Sequence, residues 1–368
     1  MLSVFRSSLR LSGAVLLCAS TVACGTDSGS DPAAPTYPLS VLESDTHRFE
    51  EYAPGVYFAV GTGSLFVQSN AMVIVNEKDV VVVDSHVSVA AGKALLESIS
   101  VLTDKPVRYL INTHYHFDHA HGNQAFAGDA VIVGHEFTRQ KLLGNVLEEA
   151  TYKLWTGGLP AAVEQMRSSL EEVTDEKERE ALELQIAVQA AHIEALGEVV
   201  PTPPTVTLSK SLTLRRGERT IEIRFLGRGH TGGDVVVLLP EDGIVFTGDL
   251  LVPGPSYMGD GYAGEWVDTL DRLKELDFEW ILPGHGEATR DREIIDVFQG
   301  VLTSLWSQVA AAKKEGKTAE EAADAINLLE LLSPYPDNAF TALDPETRRA
   351  VHQRQVSRAY EVFEEGEE

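Results

Sequence analysis

An apolar run, Val107, Tyr109, Leu110 and Ile111, leads straight into Thr113-His114-Tyr115-His116-Phe117-Asp118-His119, which holds three imidazoles and a carboxylate within six residues. Few folds can use such a segment. Alternate residues of an extended chain point the same way, so His114 and His116 reach one metal ion together. The turn that follows swings Asp118 and His119 towards a second ion. Neutral imidazole and carboxylate are the ligands that zinc and similar divalent ions prefer. Single scattered histidines are usually solvated or satisfied in a core, and this density is hard to explain that way.

Three later segments each place one candidate ligand beside glycine at a strand end, where the backbone turns tightly and approaches closely. His230 lies in Gly227-Arg228-Gly229-His230-Thr231-Gly232-Gly233-Asp234, after the strand-like Ile221–Leu226. Asp249 closes Phe246-Thr247-Gly248-Asp249, and His285 lies in Ile281-Leu282-Pro283-Gly284-His285-Gly286. Alone, each of these reads as a plain turn. Their order behind the first motif gives them meaning.

With these residues in place, the chain from about Val56 to Thr289 resembles the metallo-β-lactamase superfamily. The resemblance implies an α+β fold, an αββα sandwich of two mixed β-sheets flanked by helices. It implies a first metal on His114, His116 and His230, a second on Asp118, His119 and His285, and Asp249 bridging them. The cofactor implied is two divalent metal ions, Zn2+ first, with Fe or Mn as alternatives. Asp118 would also be the catalytic residue, orienting the attacking hydroxide and passing a proton. Asp84, at the end of Val80–Val83, would support the site without ligating. Two such ions about 3.5–4 Å apart share and acidify one water, so no serine or cysteine nucleophile is needed.

The only cysteines are Cys18 and Cys24. The folded domain therefore has no disulfide and no thiolate ligand. That excludes the lactamase subgroups with a cysteine in the second metal site. The bridging Asp249 fits the glyoxalase II-like and SoxH-like branch of the superfamily. The expected reaction is hydrolysis of a small ester, thioester or lactone. The alternatives are a β-lactamase-type amide hydrolase and a non-catalytic surface metal-binding protein.

Residues 1–23 read as a signal peptide, with Arg6 and Arg10 before the apolar Leu11–Leu17. Thr21-Val22-Ala23-Cys24 resembles a bacterial lipobox, which would put a lipid on Cys24 and a flexible tether over 24–38. The expected localisation is an exported lipoprotein, in the periplasm or at the cell surface. Residues 39–368 read as one metallo-β-lactamase-like domain. The full chain carries 30 basic against 56 acidic residues, a net charge of -26. Removing the signal takes two arginines and no acids, leaving -28. Such a surface repels phosphate backbones, so nucleic acid is not an expected partner; a small-molecule substrate is.

Good helix formers fill 136–199, which reads as an inserted helical pair broken at Trp155–Pro160. It is expected either to decorate the surface, with a homodimer as one use, or to cover the site with Tyr152, Trp155 or Leu159. The loop Pro253–Glu265, with Tyr257, Met258 and Tyr262, is a further candidate substrate wall. Residues 290–368 read as C-terminal helices, frayed beyond Arg358. Thr231 is a candidate hydrogen-bond donor to ligand. His121 is expected to support the site or face solvent, and His86 and His135 could lie near it. His47, His192 and His352 read as surface residues.

Overall fold

The computed structural model describes residues 36–335 and 338–365. The signal peptide and Cys24 lie outside the described residues. The first sheet runs in chain order: β1 (Ser40–Glu43), β2 (His47–Ala53), β3 (Val56–Gly61), β4 (Ala71–Val75), β5 (Val80–Val83), β6 (Val107–Ile111), β7 (Val131–His135) and β8 (Val206–Leu208). The second comprises β9 (Ser211–Arg216), β10 (Arg219–Phe225), β11 (Val235–Leu239), β12 (Ile244–Gly248) and β13 (Trp280–Pro283), in the order β13-β12-β11-β10-β9. Both are mixed, because the pairs from β5 to β8 and the pair β12–β13 are parallel.

The helices are α1 (Val89–Ile99), α2 (Phe117–Ala120), α3 (Asn123–Phe126), α4 (Glu136–Leu143), α5 (Ala150–Thr156), α6 (Leu159–Leu170), α7 (Glu176–Leu196), α8 (Ala263–Lys274), α9 (Glu293–Lys314), α10 (Ala319–Ala325), α11 (Leu328–Leu331), α12 (Ala339–Ala342) and α13 (Pro345–Glu365). Among the described residues, no helix is long and apolar enough to cross a membrane.

Strand periodicity builds the layers. Val81 and Val83 face the second sheet, packing with Ile111, Val237 and Phe246. Val80 and Val82 face outward onto Leu95 and Ile99 of α1. A strand covered on both faces has no solvent side, which explains the unbroken valine run. On the far side of the second sheet, Val245 and Ile281 pack against Trp266 of α8 and Phe298 and Leu302 of α9. The result is a four-layer α+β sandwich, helices–sheet–sheet–helices.

Several elements differ from the sequence reading. Residues 40–53 add two strands before Val56. Tyr37 packs on Tyr52 and Trp280, so side-chain packing begins inside the span read as a tether. The insertion holds four α-helices, of which α6 and α7 pair through Val163, Leu182 and Ile186. Far from fraying at Arg358, α13 continues to Glu365, because buried Val362 and Phe363 packed on Trp306 extend its apolar stripe.

Candidate metal centre

Every candidate ligand sits at one edge of the two sheets. β6 ends just before Asn112–His116, β12 just before Asp249, and β13 just before Gly284-His285; His230 lies in the loop joining β10 to β11. The Val235 N–H donates to the Thr113 carbonyl at 2.8 Å, and the Gly284 N–H to the Gly248 carbonyl at 2.9 Å, so the loops are tied across the edge. His114, His116 and His230 form one group whose ligand atoms all lie within 4.8 Å of one another; His114, His119 and Asp249 form a second, and Asp118, His119 and His285 a third.

Hydrogen bonds decide which nitrogen each ring offers. The Tyr257 carbonyl can only accept, so His230 Nδ1 donates to it, at 2.8 Å. The Asp260 carboxylate accepts from His116 Nε2 at 3.0 Å. That leaves His230 Nε2 and His116 Nδ1 facing each other at 2.8 Å with their lone pairs, a contact that a proton on one ring or a bound cation satisfies. Thr113 gives its hydroxyl proton to Asp84, so it accepts from His114 Nδ1 at 3.0 Å. The third lone pair of this group is then His114 Nε2, which is buried and has no hydrogen-bond partner among the described residues. Three imidazoles with fixed tautomers and converging lone pairs fit a divalent ion.

The other side works through carboxylates. Asp84 Oδ2 accepts from His119 Nδ1 at 2.8 Å, turning His119 Nε2 inward. That atom lies 3.3 Å from Asp249 Oδ1 and 3.6 Å from Asp118 Oδ2. His285 Nε2 lies 3.1 Å from Asp118 Oδ2 and 3.3 Å from Asp249 Oδ2. Asp249 Oδ2 is also 3.6 Å from His230 Nε2, so one carboxylate reaches both groups. The His285 side chain is 36% exposed while His114 and His119 are buried, so the site opens past His285.

Charge divides the metal-free site. Burial, then neighbouring imidazoles, holds His114 well below its ordinary value, and burial with His116 brings His230 down to about 3. Burial also opposes charge on His119 and His285. There the carboxylates win, raising His119 and pushing His285 up to about 10. Burial would raise Asp118, but His119 and His285 hold its carboxyl down to about 2. Protons on these two imidazoles supply the positive charge that the carboxylates demand.

All seven sequence candidates converge here, and Asp84 supports Thr113 and His119 from a left-handed backbone conformation (φ 64°). The expectations of a free Thr231 and of surface positions for His47 and His192 fail, while His86 and His121 do lie near the site. The Thr231 hydroxyl donates to buried Asp234 at 2.7 Å and is not free for a ligand. His121 is buried, with neither ring nitrogen hydrogen-bonded, and packs against Phe117 and Tyr152. His47 is buried on the same strand face as Phe49 and lies 3.1 Å from His86, ring nitrogen to ring nitrogen. His192 is buried against Phe66, and part-buried His352 bonds the Ala323 carbonyl. His135 caps α4. The sequence reading missed Asp260 and the Tyr257 carbonyl, because neither carries a local pattern.

The fold and this centre define a four-layer sandwich with a candidate metal-binding site at one edge. Residues 65–285 match the sequence model of the Metallo-beta-lactamase superfamily, and the chain belongs to that superfamily of metal-dependent hydrolases. It is similar to the linear primary-alkylsulfatase of Pseudomonas sp. (strain ATCC 19151), 23% identical over 274 residues, covering 69% of this chain and 49% of the alkylsulfatase. The chain thus spans about half the length of that relative. It is also similar to the metallo-beta-lactamase type 2 of Bacillus sp. (strain 170), 24% identical over 227 residues, 60% of this chain and 68% of the relative. Among solved structures, a metallo-β-lactamase from Erythrobacter litoralis is 16% identical, with a TM-score of 0.49 over 72% of this chain and 100% of that one.

Proposed function

We propose that the chain is a dinuclear metallo-hydrolase acting on a small ester, thioester or lactone. The convergence of three lone pairs from His114, His116 and His230, with tautomers fixed by Thr113, Asp260 and Tyr257, carries this reading. His114, His116 and His230 would hold one ion, Asp118, His119 and His285 the other, and Asp249 both. Bound there, divalent ions supply Lewis acidity and lower the pKa of a water at the site towards neutrality.

The chain's own residues do the rest. Asp118 orients the attacking water and takes up its proton. Asp84 keeps His119 aimed inward, and Asp260 does the same for His116. Phe117 packs with Leu65, Phe66, Tyr152 and Trp155 in one apolar cluster directly beside Asp118. That wall suits the acyl part of an ester, and α5 of the insertion supplies Tyr152 and Trp155 to it. The fit to the glyoxalase II-like and SoxH-like branch rests on the bridging carboxylate of Asp249. An alkyl sulfate is the second reading, favoured by the likeness to an alkylsulfatase.

A panel of chromogenic ester, thioester, lactone, alkyl sulfate and cephalosporin, offered to protein loaded with zinc, iron or manganese, tests the proposal. The highest kcat/KM should fall on the first three. A clear preference for the alkyl sulfate selects the second reading, and turnover of none leaves a metal-binding protein without catalysis. Export and a lipid anchor on Cys24 belong to the same proposal. Incorporation of labelled fatty acid into the wild type, lost in Cys24→Ala, is the expected result.

A further inference from the structure

The family match ends at residue 285, yet α13 reaches back to the centre. Arg354 Nη2 donates to Asp260 Oδ1 at 3.0 Å, while Asp260 Oδ2 takes the Nε2 proton of His116. The next residue, Gln355, is buried, and its Oε1 accepts from the Met258 backbone N–H at 3.0 Å. One turn further on, the Arg358 guanidinium lies over the Tyr262 ring, 4.7 Å from its centroid. Three residues of one helix therefore grip a single loop, Tyr257–Tyr262. That loop carries two of the three acceptors that fix imidazoles of the first group, the Asp260 carboxylate for His116 and the Tyr257 carbonyl for His230.

A carboxylate with only one anchored oxygen can swing away from the ring it orients, and a charge-assisted bond to guanidinium prevents this. Each Asp260 oxygen has its own partner, His116 on one and Arg354 on the other, and Tyr115 and Thr151 also hydrogen-bond the carboxylate. His119, by contrast, is oriented by Asp84 from β5 and has no link to α13 of this kind.

We propose that α13 is a clamp built onto the metal centre, with Arg354 and Gln355 as positioning residues that fix the rings of His116 and His230 through the Tyr257–Tyr262 loop. The proposal rests on the metal-site reading and assigns the helix an effect on one group of ligands and not the other.

Cobalt(II) titration, followed by visible absorption, tests this on wild type, Arg354→Met, Arg354→Lys and the double variant Arg354→Met/Gln355→Met. Arg349→Ala serves as a control for α13, since its ion pair among the described residues is with exposed Asp324. Arg354→Met should weaken one of two cobalt equivalents about 10- to 100-fold and alter its spectrum. Arg354→Lys should restore most of this, and the double variant should lose more. In metal-free protein, long-range proton–nitrogen NMR should show His116 protonated at Nε2 in wild type and as a tautomer mixture in Arg354→Met. Unchanged cobalt binding and an unchanged His116 tautomer overturn the clamp. So does loss of both equivalents together with a fall in Tm that Arg349→Ala shares. Wild type that takes up no cobalt counts against the metal-site reading alone, and the NMR comparison then decides the clamp.

Discussion

Gly284→Ala is the smallest change that should disable the centre. A Cβ at residue 284 would lie 2.3 Å from Asp249 Oδ1, 2.8 Å from His119 Cε1 and 3.0 Å from the Gly248 carbonyl carbon. Ordinary carbon–oxygen contacts are on the order of 3.3 Å, so something must move by about 1 Å. The backbone of Gly284 cannot withdraw, because its N–H is bonded to Gly248 and its carbonyl accepts from Asn70 at 2.7 Å. The Asp249 carboxylate must swing, and it is the one group reaching both sets of imidazoles. Overpacking of this kind costs about 1–3 kcal/mol. A misplacement of about 1 Å costs on the order of 100-fold in kcat/KM. Dialysis followed by metal analysis, chelator competition and kcat/KM on the best substrate measure the effect. Gly300→Ala, where a Cβ meets nothing within 4 Å, is the matched control. Gly284→Ala protein that keeps its metal at wild-type affinity and turns over normally would refute the role given to Asp249.

Other outcomes follow from the same geometry. Asp84→Asn sets an amide donor against one of three donors, Thr113 N, Thr113 Oγ1 or His119 Nδ1; it should cost about 1–3 kcal/mol by chemical denaturation and weaken metal binding about 10- to 100-fold by chelator competition. Loading metal at pH 8 must displace the protons that carboxylates hold on His119 and His285. Calorimetry in buffers of different ionisation enthalpy should therefore show release of about two protons, with affinity rising as pH rises. In the metal-free chain, the His285 ion pairs stabilise fully below pH 6.5 and lose that contribution as pH climbs through about 10, so metal-free Tm should fall over that window. Gly300→Ala, on the exposed face of α9 with open space around its Cβ, should stabilise by about 0.4–1 kcal/mol, read as a raised denaturation midpoint.

The ligand set could be read from sequence because its chemistry is dense and local: His114 to His119 announce themselves, and His230, Asp249 and His285 each stand at a glycine beside an apolar strand. The sandwich could be read from strand periodicity, as at Val80–Val83. The residues that fix the tautomers could not. Asp260 and Arg354 are ordinary charged residues in polar stretches, 94 positions apart, and only tertiary packing joins them. His47 did carry a signal, since it alternates with Phe49 along β2 and so shares its buried face. His192 had none, because its partner Phe66 lies in a distant loop.

Anomalous diffraction at the metal edge, from crystals of the loaded protein, puts the central claim to its most direct test. Two peaks about 3.5–4 Å apart are expected. His114 Nε2, His116 Nδ1 and His230 Nε2 should surround one, and Asp118, His119 Nε2 and His285 the other, with Asp249 touching both. A solitary peak, or an ion on the Nε2 side of His116 with Asp260 turned away, would contradict it.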